Sequence, residues 1–226
     1  MRSLTYLGHS AFFIEKDWEG ILIDPFITGN PFTNFDYKTK RISHIFVTHA
    51  HLDHLGDAIA ISKHTGAPII ACFELANYCM EKGAKAIGVN PNGLLKFPWG
   101  TVRVVGANHS SSNPDLPYGG IALGFIFDID GTTIYHAGDT GLMSEFSLIG
   151  ELYNPYYSIL PIGGYYTMGI EEAAVAAKML YSTEIIPMHY NTFPNIKVNI
   201  QEFVDLIESQ GQKCIPLKAN EYVELW

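Results

Sequence analysis

The stretch ISHIFVTHAHLDHLGD, residues 42–57, joins a short apolar run to a loop crowded with metal-binding side chains. Its first part, ISHIFV, is rich in β-branched residues and too short for a helix, so we predict a buried strand. His49, His51, Asp53 and His54 follow within six positions. The alternative is a polar helix start that Asp53 merely caps. Four ligand-type residues so close together favour a metal site at the end of a strand.

The spacing inside this loop divides the four side chains between two ions. Residues two apart on an extended segment point the same way, so His49 and His51 are placed to bind one ion. Asp53 and His54 follow one turn later and are placed to bind a second ion. The loop alone therefore predicts part of a dinuclear site.

Three more residues of the same chemical types follow later predicted strands: His109 in GANHSSS, Asp139 in YHAGDTG and His189 in IPMHYNTF. Taken singly, each has an ordinary structural explanation, because a lone His is commonly hydrogen-bonded and Asp before Thr-Gly is a common turn residue. Taken together, they complete the site. We expect His109 to join the first ion and His189 the second, with Asp139 bridging them through its two oxygens.

The order of these motifs resembles that of the metallo-β-lactamase superfamily. The segments LGHSAFFIE, ILIDPF, YHAGDTGL and MHYNTFP look like its small metal-dependent hydrolases related to L-ascorbate-6-phosphate lactonase, and the match covers nearly the whole chain. The resemblance implies an α/β fold, a four-layer αββα sandwich, and the same division of ligands. The first ion would take His49, His51 and His109; the second would take Asp53, His54 and His189; Asp139 would bridge.

The resemblance also implies two divalent metal ions, zinc in most members of the family and manganese or iron in some branches. A nitrogen and oxygen ligand set without sulfur excludes none of these metals. The chain lacks the Cys ligand of the β-lactamases proper, so antibiotic hydrolysis is not implied. It also lacks the inserted arm of the tRNA-processing members.

Apolar periodicity predicts two similar halves, each a strand meander followed by alternating strands and helices. In the first meander, the turn DWEG is expected to place Gly20 at positive φ. A single helix is expected over HLGDAIAISKHTG, with Asp57 near its N-terminus. Two sheets packed face to face with helices outside would fit this plan in a single domain of residues 1–226.

Further site candidates lie at other strand ends. Asp24 in LIDPF either starts a turn or orients a ligand imidazole by accepting its second N–H, and we favour the second role. His9 and His136 are candidates to contact substrate, to donate a proton, or only to bond a neighbouring carbonyl. Asp53 and Asp139 are predicted to act in catalysis as well as in metal binding.

The segment IGGYYTMG is predicted to form a flexible lip beside the metals. In this interpretation Tyr165, Tyr166 and Met168 wall a pocket. The alternative is a loop that only caps the next helix.

Composition narrows the function classes. The formal net charge is -9 and no run of Lys or Arg occurs, which argues against nucleic acid as a partner. Neither a signal sequence nor a membrane span is evident, which predicts a cytoplasmic protein without membrane contact. Cys72, Cys79 and Cys214 are far apart in apolar segments and are expected to be buried and without function.

The sequence thus predicts a dinuclear metal-dependent hydrolase that activates water to cleave an ester, lactone or phosphoester bond of a small molecule. A phosphodiesterase or nuclease on the same metals is one alternative, and a non-catalytic metal-binding protein is another. All seven ligand positions are chemically intact, which favours the enzyme. A homo-oligomer is compatible with the sequence.

Overall fold

The computed structural model describes residues 2–225, which form two seven-stranded sheets with helices on both sides. Strands and helices are numbered in chain order. The first sheet contains β1 (Arg2–Gly8), β2 (Ala11–Lys16), β3 (Glu19–Ile23), β4 (His44–Phe46), β5 (Ile69–Cys72), β6 (Ala86–Val89) and β14 (Tyr222–Glu224). The strand order across this sheet is β14-β1-β2-β3-β4-β5-β6. Strands β1 to β3 form an antiparallel meander, and β3 to β6 are parallel.

The second sheet repeats this plan. It contains β7 (Leu94–Phe97), β8 (Gly100–Gly106), β9 (Leu123–Ile129), β10 (Thr132–His136), β11 (Tyr157–Pro161), β12 (Glu184–Met188) and β13 (Lys213–Cys214). Strands β7 to β10 are antiparallel, and β10 to β13 are parallel. Their order in the sheet is β13-β12-β11-β10-β9-β8-β7. The predicted similarity of the two halves is confirmed.

Helices cover the sheets on both sides. They are α1 (Leu52–Leu55), α2 (Ala58–Thr65), α3 (Phe73–Glu81), α4 (Glu145–Tyr153), α5 (Ile170–Leu180) and α6 (Ile200–Ser209), with short 3-10 helices at Tyr37–Thr39 and Pro194–Ile196. Helices α2 and α3 pack on the first sheet, whereas α5 and α6 pack on the second and α4 packs on α5. Within the described residues, none of these helices has the length and apolar character to cross a membrane.

The core between the sheets is aromatic. The ring of Phe46 on β4 lies 5.1 Å from Phe125 and 5.0 Å from Phe127 on β9. Ile126, between those two residues, packs instead with the helices on the opposite face. Alternate faces of β9 thus belong to separate apolar layers, as expected for a strand buried on both sides. The predicted αββα sandwich is confirmed. The prediction of one domain over residues 1–226 includes Met1 and Trp226, which lie outside the described residues.

Local predictions were wrong in three places. The helix expected over HLGDAIAISKHTG is two helices, because Gly56 has φ 44° and its missing side chain leaves room for the carbonyl of Pro25. The turn after β2 places Asp17, not Gly20, at positive φ. Helix α4 was not predicted. Its exposed Leu148 and Leu152 obscure the apolar period that marks a helix in sequence.

Candidate metal centre

The predicted ligands meet at one edge of the sandwich. Each stands in a loop that follows a strand, and parallel strands place their carboxyl ends at the same edge of a sheet. The loop after β4 carries His49 to His54, and the loops after β8, β10 and β12 carry His109, Asp139 and His189. Both sheets therefore contribute to one centre.

The first predicted set is assembled. Nε2 of His49 lies 2.9 Å from Nδ1 of His51. The ring of His109 lies 5.0 Å from that of His49 and 5.1 Å from that of His51. Ligand nitrogens of the three residues lie within 4.8 Å of one another, which is the spacing expected around one shared ion.

The second predicted set is also assembled, with one addition. Asp53, His54 and His189 offer ligand atoms within 4.8 Å of one another, and His9 belongs to the same group. Nε2 of His189 lies 3.8 Å from Oδ2 of Asp53. The sequence marks His9 as a catalytic candidate but does not connect it to this set.

Asp139 lies between the two sets. Its Oδ2 is 3.3 Å from Nε2 of His54 and 3.0 Å from Nε2 of His189 in the second set. The same oxygen is 3.5 Å from Nε2 of His109 and 4.0 Å from Nε2 of His49 in the first. Asp139 thus lies between the two sets, as a bridging carboxylate would. The sequence predicts one oxygen for each ion, whereas Oδ2 faces both sets here and Oδ1 has no hydrogen-bond partner.

Three buried polar atoms in this cluster have no hydrogen-bond partner: His54 Nε2, Asp139 Oδ1 and His189 Nδ1. Leaving such a group unpaired costs about 1–3 kcal/mol, so buried polar atoms normally find a partner. Imidazole nitrogens and carboxylate oxygens are good ligands for zinc and related divalent cations. The residues present therefore fit a pair of divalent cations.

The carboxylates of the cluster favour positive charge on their neighbours, as the pKa of His54 shows. Burial opposes a charge on His54, but the Asp139 and Asp24 carboxylates outweigh it and raise its pKa well above the ordinary value. Burial lowers the pKa of His49 well below that value, and the neighbouring His54 adds to the effect. Although burial alone would raise it, His189 and His54 hold the pKa of Asp139 well below its usual range. A cation among these atoms would satisfy the same carboxylates.

Asp24 fixes the tautomers of two ligands from behind. Its Oδ2 accepts hydrogen bonds from Nδ1 of His54 at 2.8 Å and from the hydroxyl of Thr48 at 2.7 Å. Because the Thr48 hydroxyl donates to Asp24, its oxygen accepts from Nδ1 of His49 at 3.0 Å. Assigned from this network, both imidazoles carry a proton on Nδ1, so Nε2 is the nitrogen that an ion would take. On His54, whose raised pKa favours a second proton on Nε2, the ion would replace that proton.

His9 is fully buried and held at both ring nitrogens. Nε2 lies 3.0 Å from Oδ2 of Asp53, and Nδ1 lies 3.0 Å from the hydroxyl of Thr192. Burial lowers its pKa to about 4 despite the opposing effect of Asp53. These contacts suit a neutral imidazole that donates Nε2–H to Asp53 and so positions that ligand.

His136 is buried among backbone groups. Its Nε2 donates to the carbonyl of Ser10 at 3.1 Å, and its Nδ1 accepts from the N–H of Gly138 at 3.2 Å. Both ring nitrogens are therefore occupied. The contacts place His136 behind the turn that presents Asp139, so of the roles considered for it, the structure favours bonding to neighbouring carbonyl and N–H groups.

Three site residues adopt left-handed backbone conformations that favour glycine. They are His9 with φ 59°, Asp24 with φ 45° and His189 with φ 54°. Such conformations cost about 1–3 kcal/mol each and collect at functional sites. No local sequence signal marks them, so sequence analysis did not find this feature.

The loop after β11 is placed beside the ligands, but one of its predicted wall residues is elsewhere. Tyr165 and Tyr166 are exposed, and the N–H of Met168 donates to the carbonyl of Thr140. The side chain of Met168 is buried in the helical core, so its prediction as a pocket wall is wrong. Phe193, four residues after His189, packs its ring 5.1 Å from that of His9.

A cleft of about 530 Å³ is lined in part by Asn108, which precedes His109 in sequence, and by Met143. It is lined mainly by β8 and α4, and none of the seven predicted ligands lines it. The ligand cluster itself is therefore the better candidate for the site of chemistry.

The fold and this cluster define a class of protein: an αββα sandwich that carries a cluster of histidine and aspartate residues able to bind metal on its loops. Comparison with known proteins gives the same class, since the model of a beta-lactamase superfamily domain matches residues 3–189. A UPF0173 metal-dependent hydrolase of Pyrococcus furiosus is 46% identical over 231 residues, covering 100% of each chain. Another from Anoxybacillus flavithermus is 42% identical over 226 residues, covering 98% of this chain and 99% of that one.

A solved structure is similar as well. It is that of Igni18, a novel metallo hydrolase from the hyperthermophilic archaeon Ignicoccus hospitalis, with a TM-score of 0.90 and 43% identity over 98% of this chain and 97% of that chain. The chain belongs to the UPF0173 metal-dependent hydrolase family of the beta-lactamase superfamily. The superfamily resemblance seen in the sequence is confirmed, and the relation to L-ascorbate-6-phosphate lactonase stays a prediction.

Proposed function

We propose that this protein is a metal-dependent hydrolase with a dinuclear centre that cleaves an ester, lactone or phosphoester bond of a small molecule. The observation that carries the proposal is the position of Asp139. Its Oδ2 lies within 3.5 Å of His109 from the first ligand set and of His54 and His189 from the second. Membership in a family of metal-dependent hydrolases supports it.

Seven residues would hold the two cations, which we propose to be zinc, with manganese or iron as alternatives: His49, His51, His109, Asp53, His54, His189 and Asp139. Bound there, the pair would supply Lewis acidity and lower the pKa of water toward neutrality. No Ser or Cys nucleophile is then needed.

Residues around the seven ligands orient them through hydrogen bonds. Asp24 keeps the Nδ1 protons on His54 and, through Thr48, on His49. His9 holds Oδ2 of Asp53. We propose that Asp139 or a neighbouring His passes a proton from the attacking water to the leaving group, and the lack of a hydrogen-bond partner at Asp139 Oδ1 supports Asp139.

Metal analysis of untagged protein with a matched pair of variants tests this function. The proposal expects about two ions per chain and hydrolysis that stops when a chelator removes them. His49→Ala should lose an ion and activity, whereas His64→Ala, at the exposed end of α2, should lose neither. Protein that holds no metal, and recruits none on titration with zinc, manganese or iron, would contradict the proposal.

A further inference from the structure

Basic side chains collect at the edge of the sandwich opposite the ligands. Arg2 at the start of β1 and Lys16 at the end of β2 both pair with Asp130 in the β9–β10 turn, at 3.4 and 2.7 Å. Lys213 and Glu184, which begin β13 and β12, pair at 2.9 Å. The starts of the parallel strands and the ends of the returning helices meet at this edge. Cations are favoured at helix C-termini, so the fold itself draws them away from the ligands.

The loops that carry the ligands are correspondingly poor in cations. Among their described residues, Lys197 is the only Lys or Arg, and its side chain is exposed. The ligand-bearing loops are residues 47–57, 107–122, 137–144 and 189–199, and the count also includes the neighbouring residues 24–36 and 162–169. The rest of the β3–β4 connection carries Lys38, Lys40 and Arg41, and Lys40 pairs with Glu15 near the end of β2, toward the opposite edge. A phosphate or carboxylate on a substrate would therefore find a single basic side chain around the site.

The helix N-termini in this region already have negative or amide partners. Asp57 stands at the start of α2. Glu172 accepts the N–H of Gly169 at 3.1 Å at the start of α5, and Asn199 accepts the N–H of Gln201 at 3.2 Å at the start of α6. An open helix N-terminus attracts an anion. The starts of α5 and α6 are thus occupied by the chain's own side chains. At the start of α2, Asp57 adds a negative charge, although its carboxylate accepts from the N–H groups of Ile27 and Thr28 and does not cap the helix.

In the loops that are poor in Lys and Arg, several uncharged side chains are exposed. Leu52, between ligands His51 and Asp53, is 61% exposed, and Tyr165 and Tyr166 are 67% and 52% exposed. The hydroxyl of Tyr166 accepts a hydrogen bond from Asn195 at 3.5 Å, which places it beside the loop that begins with His189. Exposed apolar groups around a site favour contact with apolar parts of a ligand.

With two divalent cations bound, the ligand cluster would carry little net positive charge. Three carboxylates, those of Asp24, Asp53 and Asp139, lie within it, so two divalent cations would leave a single net positive charge. The whole chain carries a formal net charge of -9. An anionic group that lies outside the ion pair would be repelled at long range by the net charge of the chain, and it would lose hydration in these loops with only Lys197 as a basic partner.

We propose that the substrate is an uncharged carboxylic ester or lactone, and that an anionic group near the bond to be cleaved is selected against. This inference rests on the proposed function and narrows it, because it sets the phosphoester aside. In the reaction water adds to the carbonyl carbon and the acyl carbon–oxygen bond breaks. The products are a carboxylate and an alcohol, with one proton released.

Two esters that share a leaving group and differ in one terminal charge provide the test. For metal-loaded protein, kcat/KM for 4-nitrophenyl hexanoate should exceed that for 4-nitrophenyl hydrogen adipate by about tenfold or more at low salt, and the gap should narrow as salt is added. Equal or faster cleavage of the adipate ester would overturn the inference.

A charge-introducing variant locates the effect. Tyr166→Lys should raise kcat/KM for the adipate ester relative to the hexanoate ester. Val175→Lys adds the same charge at an exposed position of α5 outside the ligand-bearing loops and should leave both rates unchanged. An equal change in both variants would show that net charge, and not the loops, decides.

Binding of unreactive analogues separates this inference from the proposed function. N-(4-nitrophenyl)hexanamide should bind more tightly than its ω-carboxylate analogue by calorimetry, whether or not either ester is cleaved. If protein holding two ions cleaves neither ester, the proposed function fails while the binding comparison still decides the inference. Failure of the neutral anilide to bind more tightly overturns it.

Discussion

The carboxylate of Asp24 lies 2.8 Å from Nδ1 of His54. The same carboxylate accepts the hydroxyl of Thr48, which in turn lies 3.0 Å from Nδ1 of His49. One buried aspartate therefore orients a ligand from each of the two predicted sets.

Asp24→Asn should weaken metal binding. An amide oxygen accepts fewer hydrogen bonds than a carboxylate, and an amide N–H facing His54 would move its proton to Nε2. We expect about 10- to 100-fold weaker affinity, measured by chelator competition. Asp36→Asn, at an exposed carboxylate that caps a 3-10 helix, is the control. Unchanged affinity in a folded Asp24→Asn protein would contradict the orienting role.

His136→Ala should cost stability and spare the metal. Removing the ring leaves the carbonyl of Ser10 and the N–H of Gly138 without partners, at about 1–3 kcal/mol for each group that stays unpaired. Denaturant unfolding should show the loss, while metal analysis still finds the wild-type content. Loss of an ion from the folded variant would place His136 in the metal centre instead.

Gly163→Ala should remove the second ion selectively. A Cβ at this position would overlap the carbonyl oxygen of His189 and come within 2.9 Å of Ile196, so the loop that carries His189 must shift. Metal content should fall to about one ion per chain, since the first set needs no residue of that loop. In Gly141→Ala the nearest atom to the new Cβ is 3.7 Å away, on Asn108, and both ions should remain.

The cysteines should be inert in the folded protein. Burial raises the pKa of Cys72 to about 11 and that of Cys79 and Cys214 to about 12. The reactive thiolate is then a minority of about one in a thousand or less at pH 8. A chromogenic disulfide reagent should label none of them until denaturant exposes all 3. Rapid labelling of the native protein would show an accessible thiol.

The site was largely predictable because its signals are local. His49 to His54 are close in sequence, and His109, Asp139 and His189 each follow an apolar run that reads as a strand. The sequence could not show which rotamer each side chain adopts in the folded protein. Two examples are the contact between His51 Nδ1 and His49 Nε2 and the hydrogen bond between His9 and Asp53. Both depend on side-chain rotamers, and the second also depends on contact between distant segments.

The fold was predictable for the same reason and failed where tertiary contacts override local pattern. Strand runs such as AFFIEK and EIIPM are apolar over their whole length and were identified. The sequence predicts Met168 as a loop residue beside Tyr165 and Tyr166, but its side chain is buried in the core beneath the helices. Gly56 fits the helical pattern of the sequence. In the structure, however, the carbonyl of Pro25 lies where a side chain at position 56 would be.

Each of the two ligand sets draws on both halves of the chain. His49 and His51 need His109, and Asp53 and His54 need His189. On the ribosome, an emerging chain would hold incomplete sets until residue 189 has been made and the second sheet has docked on the first. In the proposed arrangement, capture of the second ion is thus a late event of biogenesis, because the second set is incomplete before the two halves of the chain meet.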